Sequence, residues 1–578
     1  MSNSPQSDTV SIALTGAGGA GVVTAGQMLL EAAATAGLYG LMARSSGPQI
    51  RGGESAAFVR MGPRTVTNLA DAFDIHIAFD WLNVERFAAE IPLDPHSVVI
   101  CDPSAGAVPE VIENSGARIV PVPLKDLTKE IPGGRVNMVG LGALANLIGL
   151  PEGTMASTLK KILRRKGEEA LKASNAGVQA GRQAVAEMGV VRALTLPDKP
   201  PQTERWSITG NEAAGMGAVR GGVRFVAAYP ITPATEVLEW LAPNLEKIGG
   251  LLVQAEDELA SINMAIGGSF GGVPSLTATS GPGLALMMES IGLALTSETP
   301  VVVVDVMRGG PSTGIPTKSE QSDLNIALYG LHGDAPHIVT AANSVADCLF
   351  TTQWTVHLAE AMQTVGLVLS DQSLGQTRTI VDRPADEPFQ AQRLVAEAPL
   401  ENYRRYAVTD SGVSPMAIPG TPGGEYVADG LEHSPIGRPS SQTEDHMAQL
   451  DKRLRKILLH EYGDHWAEIT GADAPETVIV TFGSSTGPVR EAAEEATAWG
   501  LKVKVVSLRL LMPAQTTKFE EAIAGADRLL VVEQTHSRQF YRYLRAYYDL
   551  PRDVRVLNRP GPLPIRPGEV LSMLKEWS

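Results

Sequence analysis

Cysteine is scarce in this sequence, which contains only Cys101 and Cys348 among its 578 residues. The two are far apart and form no C-x-x-C pair, which excludes a disulfide framework and an all-cysteine iron–sulfur or zinc site within the chain. No apolar run resembles a signal peptide or approaches the length of a membrane span. We therefore expect a cytoplasmic protein that does not cross a membrane.

Positive charge is also in short supply, because 48 Lys and Arg stand against 64 Asp and Glu for a net charge of −16. This balance argues against nucleic acid or an anionic membrane as a partner. Glycine, in contrast, is abundant at 58 residues. Such a count is typical of α/β folds with many tight turns between strands and helices, and the length predicts three or four domains.

Apolar strands alternate with helical segments along most of the chain, which predicts a multidomain α/β fold. The near-continuous apolar run from Val301 to Val306 is typical of a strand buried on both faces of a parallel sheet. A polar, proline-rich stretch before residue 205 predicts a linker. The predicted segments are an N-terminal α/β domain (1–195), a second α/β domain (205–376), an irregular connector (377–465) and a C-terminal βαβ domain (466–578).

The octapeptide Y-P-I-T-P-A-T-E, residues 229–236, follows the predicted strand Phe225–Ala228. Proline fixes φ and removes a backbone donor, so the strand must end here in a rigid turn. Such a turn would hold Thr232 in one orientation, suited to contacting a small ligand. The alternative interpretation is an ordinary proline-rich connection between a strand and a helix.

Acidic and basic side chains follow two other predicted strands. Glu256, Asp257 and Glu258 stand where the strand before them gives way to a helix, where they either complement the helix dipole or supply an acid–base group. Arg308 follows Val306 in a loop rich in glycine and proline, and it is either a carboxylate clamp or a solvated surface arginine. The carboxyl ends of strands in α/β sheets are where ligands bind.

The N-terminal glycines Gly16, Gly18 and Gly21 match the dinucleotide fingerprint G-x-G-x-x-G. The residues at 38–44 offer no carboxylate for a ribose, which makes a nicotinamide-dependent dehydrogenase a weaker hypothesis. A second cluster, R-S-S-G-P-Q-I-R-G-G at 44–53, would suit a phosphorylated ligand. An ordinary surface loop is the alternative for that cluster.

Together these motifs resemble the α subunit of 2-oxoacid:ferredoxin oxidoreductases. The motifs that carry the resemblance are Y-P-I-T-P (229–233), A-E-D-E-L-A (255–260), T-A-T-S-G-P-G (277–283), R-G-G-P-S-T-G (308–314) and G-G-E-Y-V-A-D-G-L-E-H (423–433), followed by Lys452 and Arg453. The start of the chain, with S-G-P-Q-I-R-G-G (46–53) and N-M-V-G-L-G-A-L (137–144), is similar to that family's γ domain. The resemblance implies a γ-type α/β domain, then a thiamine-enzyme pyrimidine-type domain and a transketolase C-terminal-like domain.

Enzymes of this family cleave a 2-oxoacid oxidatively with thiamine diphosphate, an iron–sulfur cluster and coenzyme A. They form an acyl-CoA, carbon dioxide and reduced ferredoxin, and the reaction can run in reverse as a reductive carboxylation. The E-D-E and G-L-E-H signatures resemble the 2-oxoglutarate type most, with pyruvate and branched-chain 2-oxoacids as alternatives. A subunit of a non-redox thiamine enzyme and a non-catalytic scaffold subunit are further hypotheses.

The resemblance assigns roles to residues of the second domain. It implies that Glu256 hydrogen-bonds the aminopyrimidine ring of the cofactor, with Glu258 as an open rival, and that Ile231 lies beside the cofactor. Thr232 would contact the oxo or carboxylate group of the substrate. Arg308 would pair with the substrate carboxylate.

Further candidate contacts concern the second carboxylate of a dicarboxylate substrate and coenzyme A. Lys318 is a candidate second cation for a dicarboxylate, while Gly18, Gly19 and Arg51 are candidate coenzyme A contacts. The chain lacks both the G-D-G segment that typically holds magnesium with the diphosphate and the cysteines of a cluster. The resemblance therefore implies a β subunit that shares the thiamine diphosphate and carries the magnesium and a 4Fe-4S cluster. It also implies ferredoxin as a partner and an (αβ)₂ heterotetramer, with no metal in this chain.

Overall fold

The computed structural model describes residues 8–46, 55–82, 84–197 and 203–577. The chain forms two compact units. The first, which we call the N-terminal unit, comprises Met1–Ile208, Thr377–Pro384 and Arg566–Gly568. The second, the C-terminal unit, comprises Thr209–Gln376, Ala385–Ile565 and Glu569–Ser578. The finer division into four segments stays a prediction.

Twenty strands lie in the described ranges. In chain order they are β1 (Val10–Gly16), β2 (Tyr39–Ser46), β3 (Ser55–Gly62), β4 (Ile75–Ala78), β5 (Val98–Cys101), β6 (Arg118–Pro121), β7 (Arg205–Thr209), β8 (Phe225–Ala228), β9 (Leu251–Gln254), β10 (Ser275–Thr279), β11 (Val301–Met307), β12 (Ile338–Ala341), β13 (Val365–Asp371), β14 (Arg378–Asp382), β15 (Ala467–Gly471), β16 (Thr477–Phe482), β17 (Val503–Leu508), β18 (Leu510–Met512), β19 (Arg528–Glu533) and β20 (Asp553–Asn558).

Nineteen α-helices lie in the same ranges. They are α1 (Val22–Thr35), α2 (Val84–Phe87), α3 (Glu110–Glu113), α4 (Leu124–Lys129), α5 (Val136–Leu147), α6 (Glu152–Ile162), α7 (Glu168–Ala184), α8 (Gly210–Gly221), α9 (Thr235–Leu245), α10 (Glu258–Phe270), α11 (Gly281–Thr296), α12 (Leu324–Tyr329), α13 (Asp347–Met362), α14 (Gln372–Gln376), α15 (Thr443–Leu458), α16 (Thr486–Ala498), α17 (Thr516–Ile523), α18 (Gln539–Tyr547) and α19 (Pro567–Lys575).

The first sheet has eight strands in the order β6-β5-β4-β1-β3-β2-β14-β7. Strands β1, β4, β5 and β6 run parallel, whereas β3 is antiparallel to both β1 and β2. Short apolar runs mark β1, β4 and β5 in the sequence. The β2–β3 pair was not predicted, because its strands read Y-G-L-M-A-R-S-S and S-A-A-F-V-R-M-G and contain few of the β-branched residues that mark a strand.

The motif at 137–144 lies in α5, which is almost wholly buried. Its glycines allow close contact with α7, because a Cβ at Gly142 would collide with the backbone oxygen of Val178. A Cβ at Gly181 of α7 would collide in the same way with the backbone oxygen of Val139. Residues 137–144 therefore form a surface on which α5 packs closely against α7 in the N-terminal unit.

The second sheet has seven strands in the order β18-β12-β13-β11-β10-β8-β9. Its strands are parallel except β18, which pairs antiparallel with β12. The predicted parallel sheet is thus confirmed, and the predicted strand β8 has the observed bounds. All seven residues of β11 are buried, as the apolar run predicted.

The third sheet has the order β15-β17-β16-β19-β20 and also belongs to the C-terminal unit. Arg509, just before β18, connects helix α13 with strand β15. Its guanidinium donates to Asp347 at 2.8 Å and to Glu468 at 2.6 Å, and its side chain is almost fully buried. Residues 383–442, all of which the structure describes, contain isolated bridges but no helix or strand.

A buried ion cluster anchors this irregular segment and α15 within the C-terminal unit. The fully buried Glu298 carboxylate accepts from Lys452 Nζ at 2.5 Å and from Lys456 Nζ at 3.0 Å, and Arg405 donates to the Glu298 backbone oxygen at 2.8 Å. Burial alone would raise the pKa of the Glu298 carboxyl, but the charges of Lys456, Lys452 and Arg405 hold that pKa well below its usual value. The cluster is therefore an ionised carboxylate surrounded by cations.

Throughout the described ranges, no helix combines the length and apolar character that a membrane crossing demands.

We expect Glu298→Gln to destabilise the C-terminal unit by about 3–5 kcal/mol, because removing one partner leaves buried ammonium groups without their counter-charge. The measurement is the midpoint of thermal or urea unfolding. The matched control is Glu476→Gln, whose partner Lys502 lies at 3.2 Å with both side chains more than half exposed. That exposed pair should contribute little. Equal losses in the two variants would contradict the assignment.

Candidate active site

Four neighbouring strands of the second sheet end at one edge, and the predicted functional segments follow those strands. The edge comprises the ends of β9, β8, β10 and β11, which are adjacent in the sheet order. Because parallel strands present their carboxyl ends on the same side, the loops after them converge there. We call this place the carboxyl edge.

Arg308 and Thr232 are in direct contact at the carboxyl edge. Arg308 Nη1 donates a hydrogen bond to the backbone oxygen of Thr232 at 2.5 Å, although the two residues are far apart in sequence. Arg308 is only 6% exposed, so the interpretation as a solvated surface arginine is wrong. A buried guanidinium with a fixed partner is suited to clamping a carboxylate.

Helix α8 supports the turn that carries Thr232, through hydrogen bonds from Asn211. Asn211 Nδ2 donates to the Pro233 backbone oxygen at 2.9 Å and to Glu236 Oε2 at 3.1 Å. The turn also closes on itself, because the Thr235 amide donates to the Ile231 oxygen at 3.0 Å. Thr232 and Ile231 themselves are half-buried. The proline-rich turn is therefore a rigid support, as its sequence predicted.

The three acids after β9 occupy three different environments. Asp257 caps α10 by accepting from the Ala260 amide at 2.7 Å, so it fills the helix-capping role. Glu256 is exposed. Glu258 is 7% exposed and packs against the first turn of α11, where a Cβ added to Gly283 would lie 2.8 Å from its Oε1 atom.

Lys318 lies in the loop that returns to Arg308. The Gly309 amide donates to the Lys318 backbone oxygen at 3.0 Å, and the loop between them is closed by a bridge from Gly309 to Ile315. The Lys318 side chain is half-buried. The backbone of Lys318, the candidate second cation, therefore lies beside Gly309, the residue that follows Arg308.

The candidate coenzyme A residues belong to the N-terminal unit. Gly18 and Gly19 lie exposed in the turn between β1 and α1. Gly19 has a φ of +94°, and a Cβ added to it would meet no atom within 4 Å. The first amide of this turn, from Ala17, donates to Asp80 Oδ2 at 2.9 Å. Arg51 lies outside the residues that the structure describes.

Two further acids at the carboxyl edge were not predicted. Asp305 interrupts the apolar strand β11 and is fully buried, and neither of its carboxyl oxygens has a hydrogen-bond partner among the residues that the structure describes. Burial raises the pKa of Asp305 well above its usual value, and the neighbouring Asp323 raises it further. A charged residue inside a strand that is otherwise wholly apolar was the signal that could have revealed it.

Asp323 stands at the start of α12 and faces the first turn of α11. A Cβ added to Gly281 would lie 2.5 Å from Asp323 Oδ1. Burial and the nearby Glu320 raise the pKa of Asp323 to about 7, although Arg308 and a hydrogen bond from the Gly281 amide oppose this shift. Arg308 therefore interacts electrostatically with three acids, Asp323, Asp305 and Glu258.

In the described part of the chain, no group of three or more His, Cys, Asp or Glu side chains is arranged to hold a metal ion.

Three sequence profiles of known families match the chain. Residues 11–184 match pyruvate ferredoxin/flavodoxin oxidoreductase, and residues 216–452 match the thiamine diphosphate-binding domain of pyruvate flavodoxin/ferredoxin oxidoreductase. Residues 467–540 match the C-terminal domain of transketolase. The three matches follow one another in the predicted order of domains.

Similar proteins extend the match to the whole chain. The α subunit of 2-oxoacid:ferredoxin oxidoreductase 2 from Aeropyrum pernix is 30% identical over 621 aligned positions, covering 95% of each chain. The 2-oxoglutarate synthase subunit KorA from Methanothermobacter thermautotrophicus is 36% identical over 375 positions, covering 64% of this chain and 98% of its own. The solved structure of 2-oxoglutarate:ferredoxin oxidoreductase from Magnetococcus marinus, with 2-oxoglutarate, coenzyme A and succinyl-CoA bound, has 36% identity and a TM-score of 0.91, covering 99% of this chain and 100% of that one.

The fold and these matches define an oxidoreductase subunit of multidomain α/β architecture, which confirms the predicted fold class. The chain belongs to the 2-oxoacid:ferredoxin oxidoreductase family, and the relatives that match nearly its whole length are named α subunits. The nicotinamide-dependent dehydrogenase hypothesis finds no support among these matches.

We expect the stability of the C-terminal unit to fall as pH rises from about 4 to about 7, in part because of Asp323. The pKa of an unfolded aspartate is about 3.9, so the folded chain keeps a proton that the unfolded chain releases across this window. Asp323→Asn should remove this contribution, which is on the order of 4 kcal/mol as an upper limit. The measurement is the unfolding midpoint of both proteins at pH 5 and pH 8.

The control for that comparison is Glu239→Gln, which alters an exposed carboxyl on α9. It should follow the wild-type pH dependence. If Asp323→Asn loses as much stability between pH 5 and pH 8 as the wild type does, Asp323 does not hold the proton.

Proposed function

We propose that the chain is the γ–α fused subunit of a 2-oxoglutarate:ferredoxin oxidoreductase. With a β subunit it would decarboxylate 2-oxoglutarate oxidatively, transfer the acyl group to coenzyme A and reduce ferredoxin, or run the same reaction in reverse. The observation that carries the proposal is the buried Arg308 clamp on the Thr232 turn at the carboxyl edge. The names of the KorA relative and of the Magnetococcus marinus enzyme support the substrate.

The residues of the carboxyl edge fit a thiamine cofactor. Thiamine diphosphate supplies the electron sink that decarboxylation of a 2-oxoacid requires. Glu256 would hydrogen-bond the aminopyrimidine ring and exchange a proton with it. Its carboxyl is exposed just after β9, and β9 lies next to β8, the strand that leads to Ile231. Glu258 is less suited to this role, since its carboxyl is packed against the first turn of α11.

Substrate recognition would rest on two adjacent groups. Arg308 would pair with the carboxylate next to the oxo group, and a charge-assisted hydrogen bond of this kind contributes about 1.5–3 kcal/mol. Thr232 would hold the oxo group, because the turn supported by Asn211 fixes its orientation. Lys318 would bind the second carboxylate of 2-oxoglutarate from the loop that returns to Gly309.

A β subunit would complete the site and carry the magnesium and the 4Fe-4S cluster. The two cysteines of the chain, Cys101 and Cys348, are buried and far apart in sequence, and so supply no cluster ligands. Apolar side chains exposed around the carboxyl edge, among them Tyr229, Leu259 and Leu286, suit a covered surface. The γ-type domain would bind coenzyme A through Gly18, Gly19 and Arg51, and two αβ pairs would form the (αβ)₂ assembly that transfers electrons to ferredoxin.

The test is to purify the complex of this chain with its β subunit and to measure anaerobic, coenzyme A-dependent reduction of a low-potential dye. We expect kcat/KM for 2-oxoglutarate to exceed that for pyruvate and for branched-chain 2-oxoacids. Arg308→Gln should lower kcat/KM by about 10- to 100-fold, in line with one lost charged contact. Arg545→Gln, which alters an exposed arginine on α18, should not.

Two results would overturn this proposal. If another 2-oxoacid is the better substrate, the substrate assignment is wrong. If no 2-oxoacid is turned over, the proposed activity is wrong.

We expect Glu256→Gln to lower kcat by about 100-fold or more, because it removes the carboxyl proposed to exchange a proton with the cofactor. Glu258→Gln, the matched variant two residues away, should lower kcat much less. The measurement is kcat at saturating substrate and thiamine diphosphate. The reverse ranking would assign the cofactor contact to Glu258.

A further inference from the structure

Among the residues that the structure describes at the carboxyl edge, buried acids outnumber the buried cation Arg308. The charged groups that interact electrostatically with one another here are Glu258, Asp305, Arg308, Glu320 and Asp323, and His536 acts in turn on Glu320. Glu258 and Asp305 are nearly or fully buried, and Asp323 Oδ2 is a buried atom. Three ionised carboxylates around one guanidinium would be costly in such a site.

Two of these acids come from elements next to Arg308. Asp305 lies three residues before it, inside β11, and pairs in register with Thr279 of β10. Asp323 faces the first turn of α11 from the start of α12. Neither Asp305 oxygen, nor Asp323 Oδ2, nor Arg308 Nε has a hydrogen-bond partner among the described residues. These acids therefore act on Arg308 through their charge and not through a hydrogen bond to these atoms.

A neutral, protonated pair explains why Arg308 points elsewhere. An ionised Asp305 or Asp323 would attract the guanidinium, yet Arg308 instead donates to the neutral backbone oxygen of Thr232. The raised pKa values of both acids agree with protonation of at least one of them near neutral pH. Protonation leaves the positive charge of Arg308 available to an incoming anion.

We propose that Asp305 and Asp323 are positioning residues for Arg308 and that they take up a proton from solvent when a substrate carboxylate binds to Arg308. This inference rests on the proposed function, because it takes Arg308 as the receptor of the 2-oxoacid carboxylate. Binding neutralises the cation that favours the ionised acids, so a carboxylate of the pair becomes a carboxylic acid. No other bond changes in this step.

The consequence for pH dependence follows from linkage. Well below pH 7, the value near which Asp323 titrates, Asp323 is already protonated, so binding takes up no proton there and KM for 2-oxoglutarate is lowest. Above about pH 7 the ionised pair competes with the substrate for Arg308, so KM rises with pH. The limit for one coupled proton is about tenfold per pH unit.

The experiment uses the complete complex with its β subunit. KM and kcat for 2-oxoglutarate are measured from pH 6 to 8.5, and proton uptake is measured at pH 8 by calorimetry in two buffers of different ionisation enthalpy. The calorimetric probe is 2-hydroxyglutarate, which carries both carboxylates but lacks the oxo group needed for decarboxylation. The wild type should take up about 0.5–1 proton per bound probe, and its KM should rise about tenfold or more across the range.

Three variants separate a titrating pair from a merely structural one. Asp305→Asn and Asp323→Asn mimic the protonated state, so their proton uptake should approach zero and their KM should change less than about threefold with pH. Asp323→Glu keeps a titratable group and should restore the pH dependence. Glu239→Gln, with its exposed carboxyl on α9, should behave as the wild type does.

Failure of this inference is distinguishable from failure of the proposed function. If the wild-type complex turns over 2-oxoglutarate but binds the probe without proton uptake at pH 8, the inference is wrong while the function stands, whatever the variants do. The same conclusion follows if the Asn variants keep the wild-type KM profile. If no 2-oxoacid is turned over and the probe does not bind, both are wrong.

Discussion

The hydrogen bond from Arg308 to the backbone oxygen of Thr232 is the contact on which the organisation of the candidate site depends. It joins the turn after β8 to the loop after β11, although β10 lies between these strands in the sheet. A parallel sheet makes this possible, because it presents the loops of neighbouring strands at one edge. Without the sheet, the same two residues would be separated by a long stretch of chain and would define no site.

The C-terminal unit buries charge in two places with opposite consequences. Around Glu298, one carboxylate is surrounded by lysine and arginine side chains and accepts their hydrogen bonds, so the cluster holds an irregular segment in place. Around Arg308, acids outnumber the cation and several polar atoms have no partner among the described residues. The first arrangement satisfies its charged groups internally, as a structural anchor must. The second leaves groups whose protonation can respond to a ligand.

Much of the fold was predictable because short apolar runs mark strands. The strands β8 and β11 were predicted closely, since each is a short apolar segment bounded by proline or charged residues. The β2–β3 pair and the short strand β18 were not predicted. Strands β2 and β3 contain few β-branched residues. Strand β18 has too few residues to form a pattern, and its place depends on β12, which is distant in the sequence.

The sequence by itself determined the family, because its motifs occur together and in order, and it identified Thr232, Glu256 and Arg308 as the residues to examine. Only the tertiary structure decided their environments. It buried Arg308 against Thr232, left Glu256 exposed and packed Glu258 against the first turn of α11. It also gave Asp305 and Asp323 a shared site. The physical reason is that burial and electrostatic coupling depend on which side chains the fold brings together, and local sequence carries no record of those distances.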